Sequence, residues 1–300
     1  YYHMEPFIKA GLVLITLILG SVQVHAEPVA IPQVNMDGPP YEGMVREVHG
    51  EGSQRYWIFR PAAPGRYPVV VLIHGWAATE PIFYMAWIRH LVGDGIIVVY
   101  PRYQNLLDTS SENFTENSAY AVRKALGDLE GEFNGRLYIA GHSAGGIIAV
   151  NLAARGDIPK PVAVLSIQPG DSEGGRKLQN LSKIPGDVIL VVMAGDADTI
   201  TGTADSHRIM RMTPQIPPGR KIFLLVQSDR TLVADHLSPL AVSDEYGLLV
   251  DNLDYSGYWK VLDILIDLEG DSLTSADMDE LTGMGTWDDG RPVKRMKIIT

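Results

Sequence analysis

Arg136-Leu137-Tyr138-Ile139-Ala140 runs into Gly141-His142-Ser143-Ala144-Gly145-Gly146, and Ile147-Ile148-Ala149-Val150 follows. This short stretch decides the fold. Five residues of strand character end at a glycine, and a run of small and apolar residues of helical length begins at Ala144. Between them stands Gly-x-Ser-x-Gly, which puts Ser143 in the turn from a buried strand into a helix. The glycines have a mechanical reason. So sharp a turn brings the first helical turn hard against the strand, and a side chain two residues before or after Ser143 would collide. The serine hydroxyl is left at the carboxyl end of a sheet, beside a helix N-terminus whose dipole favours developing negative charge. Alone the motif is common by chance; between a strand and a small-residue helix it carries weight.

The alternation continues outward in both directions. Upstream, Pro68–Ile73 and Ile96–Tyr100 are continuous apolar runs, as expected of strands covered on both faces, and Pro81–Leu91 between them has helical spacing. Asn117–Leu129 reads as an amphipathic helix. Downstream, Val162–Ile167, Val188–Met193 and Lys221–Val226 read as strands, Ala204–Met212 as a helix, and Tyr246–Leu268 as one or two closing helices. Met44–His49 and Tyr56–Arg60 alternate about the turn Gly50–Ser53, which predicts an antiparallel hairpin. The pattern implies an α/β fold: a mostly parallel central sheet with antiparallel N-terminal strands and helices on both faces. Residues 44–300 are expected to form one domain. The tail from Asp271 to Thr300, acidic and then basic, shows no role in its sequence.

Composition narrows the chemistry. The 300 residues carry 25 Lys and Arg against 36 Asp and Glu, a formal net charge of −11, and no cysteine. Without cysteine there is no disulfide scaffold, no thiolate zinc site and no Cys nucleophile. The acidic balance offers no basic stripe to replace phosphate counterions, which argues against nucleic acid as a partner. No G-x-G-x-x-G follows a strand and no phosphate-binding loop is present, so no nucleotide cofactor is expected. The acidic run from Asp271 to Glu280 lacks the alternating ligands and central glycine of a calcium loop. It reads as a capped helix start, and no metal is expected.

At the N-terminus, residues 1–3 precede Met4 and read as a vector scar. Residues 4–26 read as a signal peptide. Phe7–Val24 is mostly apolar with Lys9 its one basic residue, and Val24-His25-Ala26 places small residues at both cleavage-specificity positions. An uncleaved anchor is the alternative, because Glu5 offsets Lys9. Either way the expected destination is outside the cytoplasm, secreted or periplasmic, with no stable membrane span after signal removal. Residues 27–43, rich in Pro and Gly, read as an extended segment.

With Ile73-His74-Gly75-Trp76 after an early strand, the Gly141–Gly146 turn, and acids and a histidine in order downstream, residues 44–270 resemble the α/β-hydrolase superfamily. Within it the chain looks most like the secreted carboxylesterases of the dienelactone hydrolase, chlorophyllase and polyester hydrolase (cutinase-like) groups, which share a Gly-His-Ser-x-Gly-Gly turn and lack a large lid. The missing cysteines depart from cutinase-like enzymes, which commonly carry disulfides.

A serine nucleophile needs a histidine to take its proton, and that histidine needs an acid to hold its tautomer. His236, in a loop after the Lys221–Val226 strand, stands where the family carries its base. His3 and His25 fall in the leader; His49 and His90 read as surface or core residues, and His207 sits on an expected helix too close behind the acid region. The family pattern places the acid a few residues past Gly195, which matches Asp198, with Asp196 its rival and Asp171 a remote third. The order Ser143, Asp198, His236 is the one expected. The resemblance also implies an oxyanion hole from the N–H groups of Trp76 and Ala144, the Trp76 side chain at the pocket mouth, and His142 beside the substrate. A loop of Tyr103-Gln104 and Asp108–Asn117 is expected to edge the cleft, with Tyr103 a substrate contact. The expected function is hydrolysis of small-molecule or polymeric carboxylic esters through an acyl-enzyme, without cofactor. A peptidase, an acyltransferase or a catalytically silent binding protein on the same scaffold are the alternatives.

Overall fold

Nine strands form one sheet in the computed structural model, which describes residues 43–105, 109–172, 176–242 and 250–300. The expected scar, signal peptide and most of the extended segment therefore lie outside the described residues, as do residues 243–249 at the start of the expected closing helices. Among the described residues no helix is long and apolar enough to cross a membrane.

The strands are β1 (Met44–His49), β2 (Tyr56–Pro61), β3 (Tyr67–Ile73), β4 (Ile97–Pro101), β5 (Phe133–His142), β6 (Ala163–Ile167), β7 (Ile189–Gly195), β8 (Lys221–Val226) and β9 (Lys297–Ile299). Their order is β1-β2-β4-β3-β5-β6-β7-β8-β9. β1 and β2 form the expected antiparallel pair, β2 is antiparallel to β4, and β3 through β8 run parallel. The apolar runs read from the sequence are buried on both faces: Val69 to Ile73, Ile97 to Tyr100 and Ile189 to Ala194 are all at most 1% exposed. Each such aliphatic side chain contributes roughly 1.5–3 kcal/mol by leaving water, and β-branched residues suit the pleat.

The helices are α1 (Met85–Gly93), α2 (Phe114–Asp128), α3 (Ala144–Ala153), α4 (Ala204–Met212), α5 (Lys260–Asp267) and α6 (Ser275–Thr282). Residues of α2, α3 and α4 pack with Val69, Val71, Ile139 and Val192 in one cluster. Tyr138 alternates to the other face, where its hydroxyl donates to the Ile266 carbonyl of α5 and Trp87 stacks on Trp259. α3 is buried along its whole length, so its sequence lacks the polar stripe of a surface helix.

The structure departs from the sequence reading at element ends. Pro81–Tyr84 is a 3-10 turn before α1, because a proline opens a helix without needing an N–H partner. A π-helical stretch, Leu253–Trp259, precedes α5. The 271–300 tail acquires a role. Thr274 and Asp277 form a reciprocal cap that starts α6, and β9 adds antiparallel to β8 as an edge strand. Between β6 and β7, where a cap would be inserted, the described residues hold one 3-10 turn, Leu181–Lys183. Buried Asn151 of α3 ties this connection down, donating to Lys177 O at 3.0 Å and accepting from Gln179 N at 2.8 Å. No large cap is present among the described residues.

β3 lies between β4 and β5, so the chain leaves β3 to one side and returns to the other. The carboxyl ends of β3 and β5 are thus adjacent at a topological switch point, where open α/β sheets leave a crevice.

Candidate active site

At that crevice the loop after β3 meets the turn after β5. Ser143 has φ 58° and ψ −119°, a conformation costly for any residue with a Cβ, and it caps the N-terminus of α3. The turn is held by its glycines. A Cβ on Gly141 would lie 2.1 Å from Gly145 O, and one on Gly145 would lie 2.2 Å from Ile73 O. Ser143 N–H donates to Ile167 O at 2.9 Å, which stitches the turn to β6.

The loops after β7 and β8 bring Asp198 and His236 to it. His236 Nε2 lies 2.9 Å from Ser143 Oγ, and His236 Nδ1 lies 2.9 Å from Asp198 Oδ2. A carboxylate only accepts, so Nδ1 carries the proton and Nε2 presents its lone pair to the serine hydroxyl. Asp198 Oδ1 accepts from the N–H groups of Ile200 and Thr201 at 2.9 and 3.0 Å, and Oδ2 also accepts from the Thr201 hydroxyl at 2.6 Å. Burial alone would raise the Asp198 pKa, but the hydrogen bonds from His236 and Thr201 outweigh it and hold the carboxyl well below the usual range. Asp196 turns elsewhere, accepting from Ser228 N and Oγ, and Asp171 pairs with Arg176.

Two unclaimed donors flank the serine. Gly75 N–H donates to Tyr84 OH at 3.1 Å, Ala77 N–H to Gln104 Oε1 at 3.0 Å and Ala78 N–H to Gly75 O at 3.1 Å. Trp76 N–H, between them, has no partner among the described residues, and neither does Ala144 N–H at the head of α3. A Cβ on Gly75 would lie 3.3 Å from Ser143 Cβ, so this loop leans directly on the serine. The Trp76 side chain is 43% exposed.

Two expected substrate contacts are corrected by burial. Tyr103 is fully buried: its ring stacks on His74 at 4.1 Å and its hydroxyl donates to His74 O at 2.9 Å. It supports the loop after β3 from beneath, at a backbone turn with φ 39°. His142 is 3% exposed, with Nδ1 2.8 Å from Tyr84 OH and Nε2 2.9 Å from His236 O. Both its ring nitrogens are used inside the protein, so it braces the site without facing a substrate. His74 is equally buried between Tyr100 and Tyr103, and burial lowers its pKa to about 4.

Sequence reading missed several supporting residues. Thr201 carries a signal, since an aspartate two and three residues ahead of backbone N–H groups forms a local turn. Asp235 carries the same one: its Oδ1 accepts from Leu237 and Ser238 N–H at 3.0 Å each and shapes the turn that presents His236. Tyr84, Gln104 and Gln168, which donates to Asp235 O at 2.8 Å, have no local signal; only the fold brings them here. A groove of about 830 Å³ with Arg155, Lys160 and Lys183 lies at the far end of α3 from Ser143 and is lined by no Ser, Thr or His.

The family model for chlorophyllase matches residues 33–178. Together with the strand order, that decides the fold. The chain has the α/β-hydrolase fold. Over the matched span, just under half of its length, it is similar to chlorophyllase; that span includes Trp76, Ser143 and Ala144, whereas Asp198 and His236 lie beyond it. No individually curated protein matches the chain. The match indicates a hydrolase of the esterase kind, and the parts of the chain outside the match stand on geometry alone.

Proposed function

We propose that the protein is a serine-dependent carboxylic ester hydrolase, exported from the cytoplasm. The observation that carries this reading is the unbroken line Asp198–His236–Ser143, with both links at 2.9 Å, beside the two unclaimed N–H groups of Trp76 and Ala144. Ser143 Oγ attacks the ester carbonyl as His236 Nε2 takes its proton. The Trp76 and Ala144 N–H groups stabilise the tetrahedral oxyanion. His236 returns the proton to the departing alcohol, leaving an acyl-enzyme, then activates water to release the acid. Asp198 holds the imidazole in the tautomer this requires and stabilises the imidazolium that forms. The chlorophyllase match supports an ester over an amide as substrate. The short β6–β7 connection and the exposed Trp76 support an open cleft that takes a bulky ester, small or polymeric.

A panel of p-nitrophenyl acyl esters, aryl diesters and peptide amides, run with wild type and Ser143→Ala, tests the reading. The expected result is ester turnover abolished in Ser143→Ala and stoichiometric fluorophosphonate labelling of Ser143 in wild type. Retained turnover in Ser143→Ala overturns it. Export is tested separately by N-terminal sequencing of the protein recovered outside the cytoplasm, with Glu27 the expected first residue.

A further inference from the structure

We propose that Tyr84 is a positioning residue for this ester hydrolysis, joining the loop of the oxyanion donor to the backbone of the base through one directed chain of hydrogen bonds. The inference rests on the serine-hydrolase reading above.

Three links make the chain. Gly75 N–H donates to Tyr84 OH at 3.1 Å, Tyr84 OH lies 2.8 Å from His142 Nδ1, and His142 Nε2 lies 2.9 Å from His236 O. The proton positions follow from chemistry. A carbonyl oxygen only accepts, so His142 Nε2 carries a proton. Burial, helped by the neighbouring His236 ring, lowers the His142 pKa to about 3, so the ring is neutral and Nδ1 holds a lone pair. Tyr84 therefore donates to Nδ1, and its oxygen accepts from Gly75. Burial pushes the Tyr84 phenol well above its usual range, which keeps that proton on the oxygen. Each group is used once, and a single arrangement of protons satisfies all three links.

The chain holds both halves of the site. Gly75 immediately precedes Trp76, and Ala77 on its other side is held by Gln104, so the peptide carrying the free Trp76 N–H is pinned at both flanks. At the far end, His142 grips the carbonyl of His236, whose ring must stay within hydrogen-bond reach of Ser143, and packs against that ring with centroids 4.9 Å apart. Tyr84 is 0% exposed and meets neither substrate nor the reacting atoms. Its effect passes through the donor loop and the base. Such an effect falls on the transition state, because the oxyanion donor is engaged only there.

Tyr84→Phe in the full chain removes one oxygen and keeps the ring that packs against Tyr100 and His142. The expected result is a fall in kcat of at least tenfold, on the scale of a displaced oxyanion donor. KM should change less than twofold, and fluorophosphonate labelling of Ser143 should slow in parallel. A merely structural role would lower the melting temperature without separating kcat from KM. Wild-type kcat in Tyr84→Phe, or a loss carried by KM alone, overturns the inference; if Ser143→Ala is inactive in the same assay, the serine reading stands regardless. Activity retained in Ser143→Ala brings down that reading instead. Should Tyr84→Phe fail to fold, imidazole 15N NMR of wild type decides. The chain requires His142 as a neutral Nε2–H tautomer at pH 7, and an Nδ1–H tautomer or an imidazolium there overturns it.

Discussion

Asp198→Asn replaces one oxygen by an amide, and the surroundings of Asp198 dictate which one. Oδ1 accepts two backbone N–H groups, from Ile200 and Thr201, so an NH2 there would face two donors and lose both bonds. The amide oxygen must take that position, and the NH2 takes the place of Oδ2, 2.9 Å from His236 Nδ1 and 2.6 Å from Thr201 Oγ1. One N–H then donates to Nδ1 and the other to the Thr201 oxygen, whose own proton has Gln168 O within 3.2 Å. Every group keeps a partner, so the fold should survive. The imidazole pays instead: its proton moves to Nε2, which no longer accepts from Ser143. Holding the wrong tautomer in a Ser-His-Asp system costs on the order of 10⁴ in kcat, about 5 kcal/mol of transition-state stabilisation. The assay is hydrolysis of a p-nitrophenyl ester at pH 7 to 8, with circular dichroism and the melting temperature as controls. Asp196→Asn is the companion, expected within twofold of wild type because Asp196, among the described residues, bonds to Ser228 side chain and backbone and to Val226 O. A folded Asp198→Asn enzyme losing less than tenfold, or an Asp196→Asn enzyme losing more, would refute the reasoning.

Three further substitutions probe the frame of the site. Gly145→Ala places a Cβ 2.2 Å from Ile73 O and 2.6 Å from His74 O, backbone that has no rotamer to yield; at least 100-fold loss of esterase rate or insoluble protein is expected, and a soluble variant with more than half of wild-type rate contradicts this. Trp287→Ala removes a nearly buried ring whose Nε1 donates to Asp229 at 3.1 Å and over which Arg230 lies at 4.8 Å, on the loop leading to His236. It should cost about 3 kcal/mol and lower the melting temperature by roughly 6–12 °C, and a shift under 2 °C would show that the tail does not brace this loop. His142 has a folded pKa of about 3 against 6.5, so between those values the unfolded chain binds the extra proton and the fold loses stability as pH falls below 6.5. In urea titrations at pH 7 and 5, the stability lost on acidification should be about 2 kcal/mol smaller in His142→Asn than in wild type, and an equal loss in both would contradict a buried neutral His142.

The parallel order of β3 to β8 was legible because strands covered on both faces must be apolar throughout, as Val69–Ile73 and Ile189–Met193 are. Ser143 was legible because its turn demands glycines at fixed offsets. His236 and the pair Asp196 and Asp198 were legible through the family resemblance, which places an acid and a histidine in the loops after β7 and β8; the sequence left the choice between the two aspartates open. Element ends were less so: α2 begins at Phe114, not Asn117, since a 3-10 turn over Ser111–Asn113 launches it and its amphipathic pattern says nothing of that turn. Tyr103 and His142 were misplaced for a different reason. An aromatic or a histidine suits a cleft wall and a buried hydrogen-bond network equally well, and one residue's type does not say which of its atoms find partners.

Taken by itself, the sequence determined what depends on neighbours in the chain: the strand–turn–helix around Ser143, the alternation that makes an α/β sheet, and the absence of thiol chemistry. Only the tertiary structure decided what depends on distant segments meeting. It set Asp198, not Asp196, against His236, left the Trp76 and Ala144 N–H groups without a partner among the described residues while Gly75 and Ala77 on either side of Trp76 are bound, drew Tyr84 between Gly75 and His142, and turned the 271–300 tail into the edge strand and brace beside β8. Local order follows from backbone sterics and the periodicity of burial, which act over a few residues. Hydrogen-bond partners 58 or 94 positions apart are set by which strands lie side by side, and no local pattern encodes that.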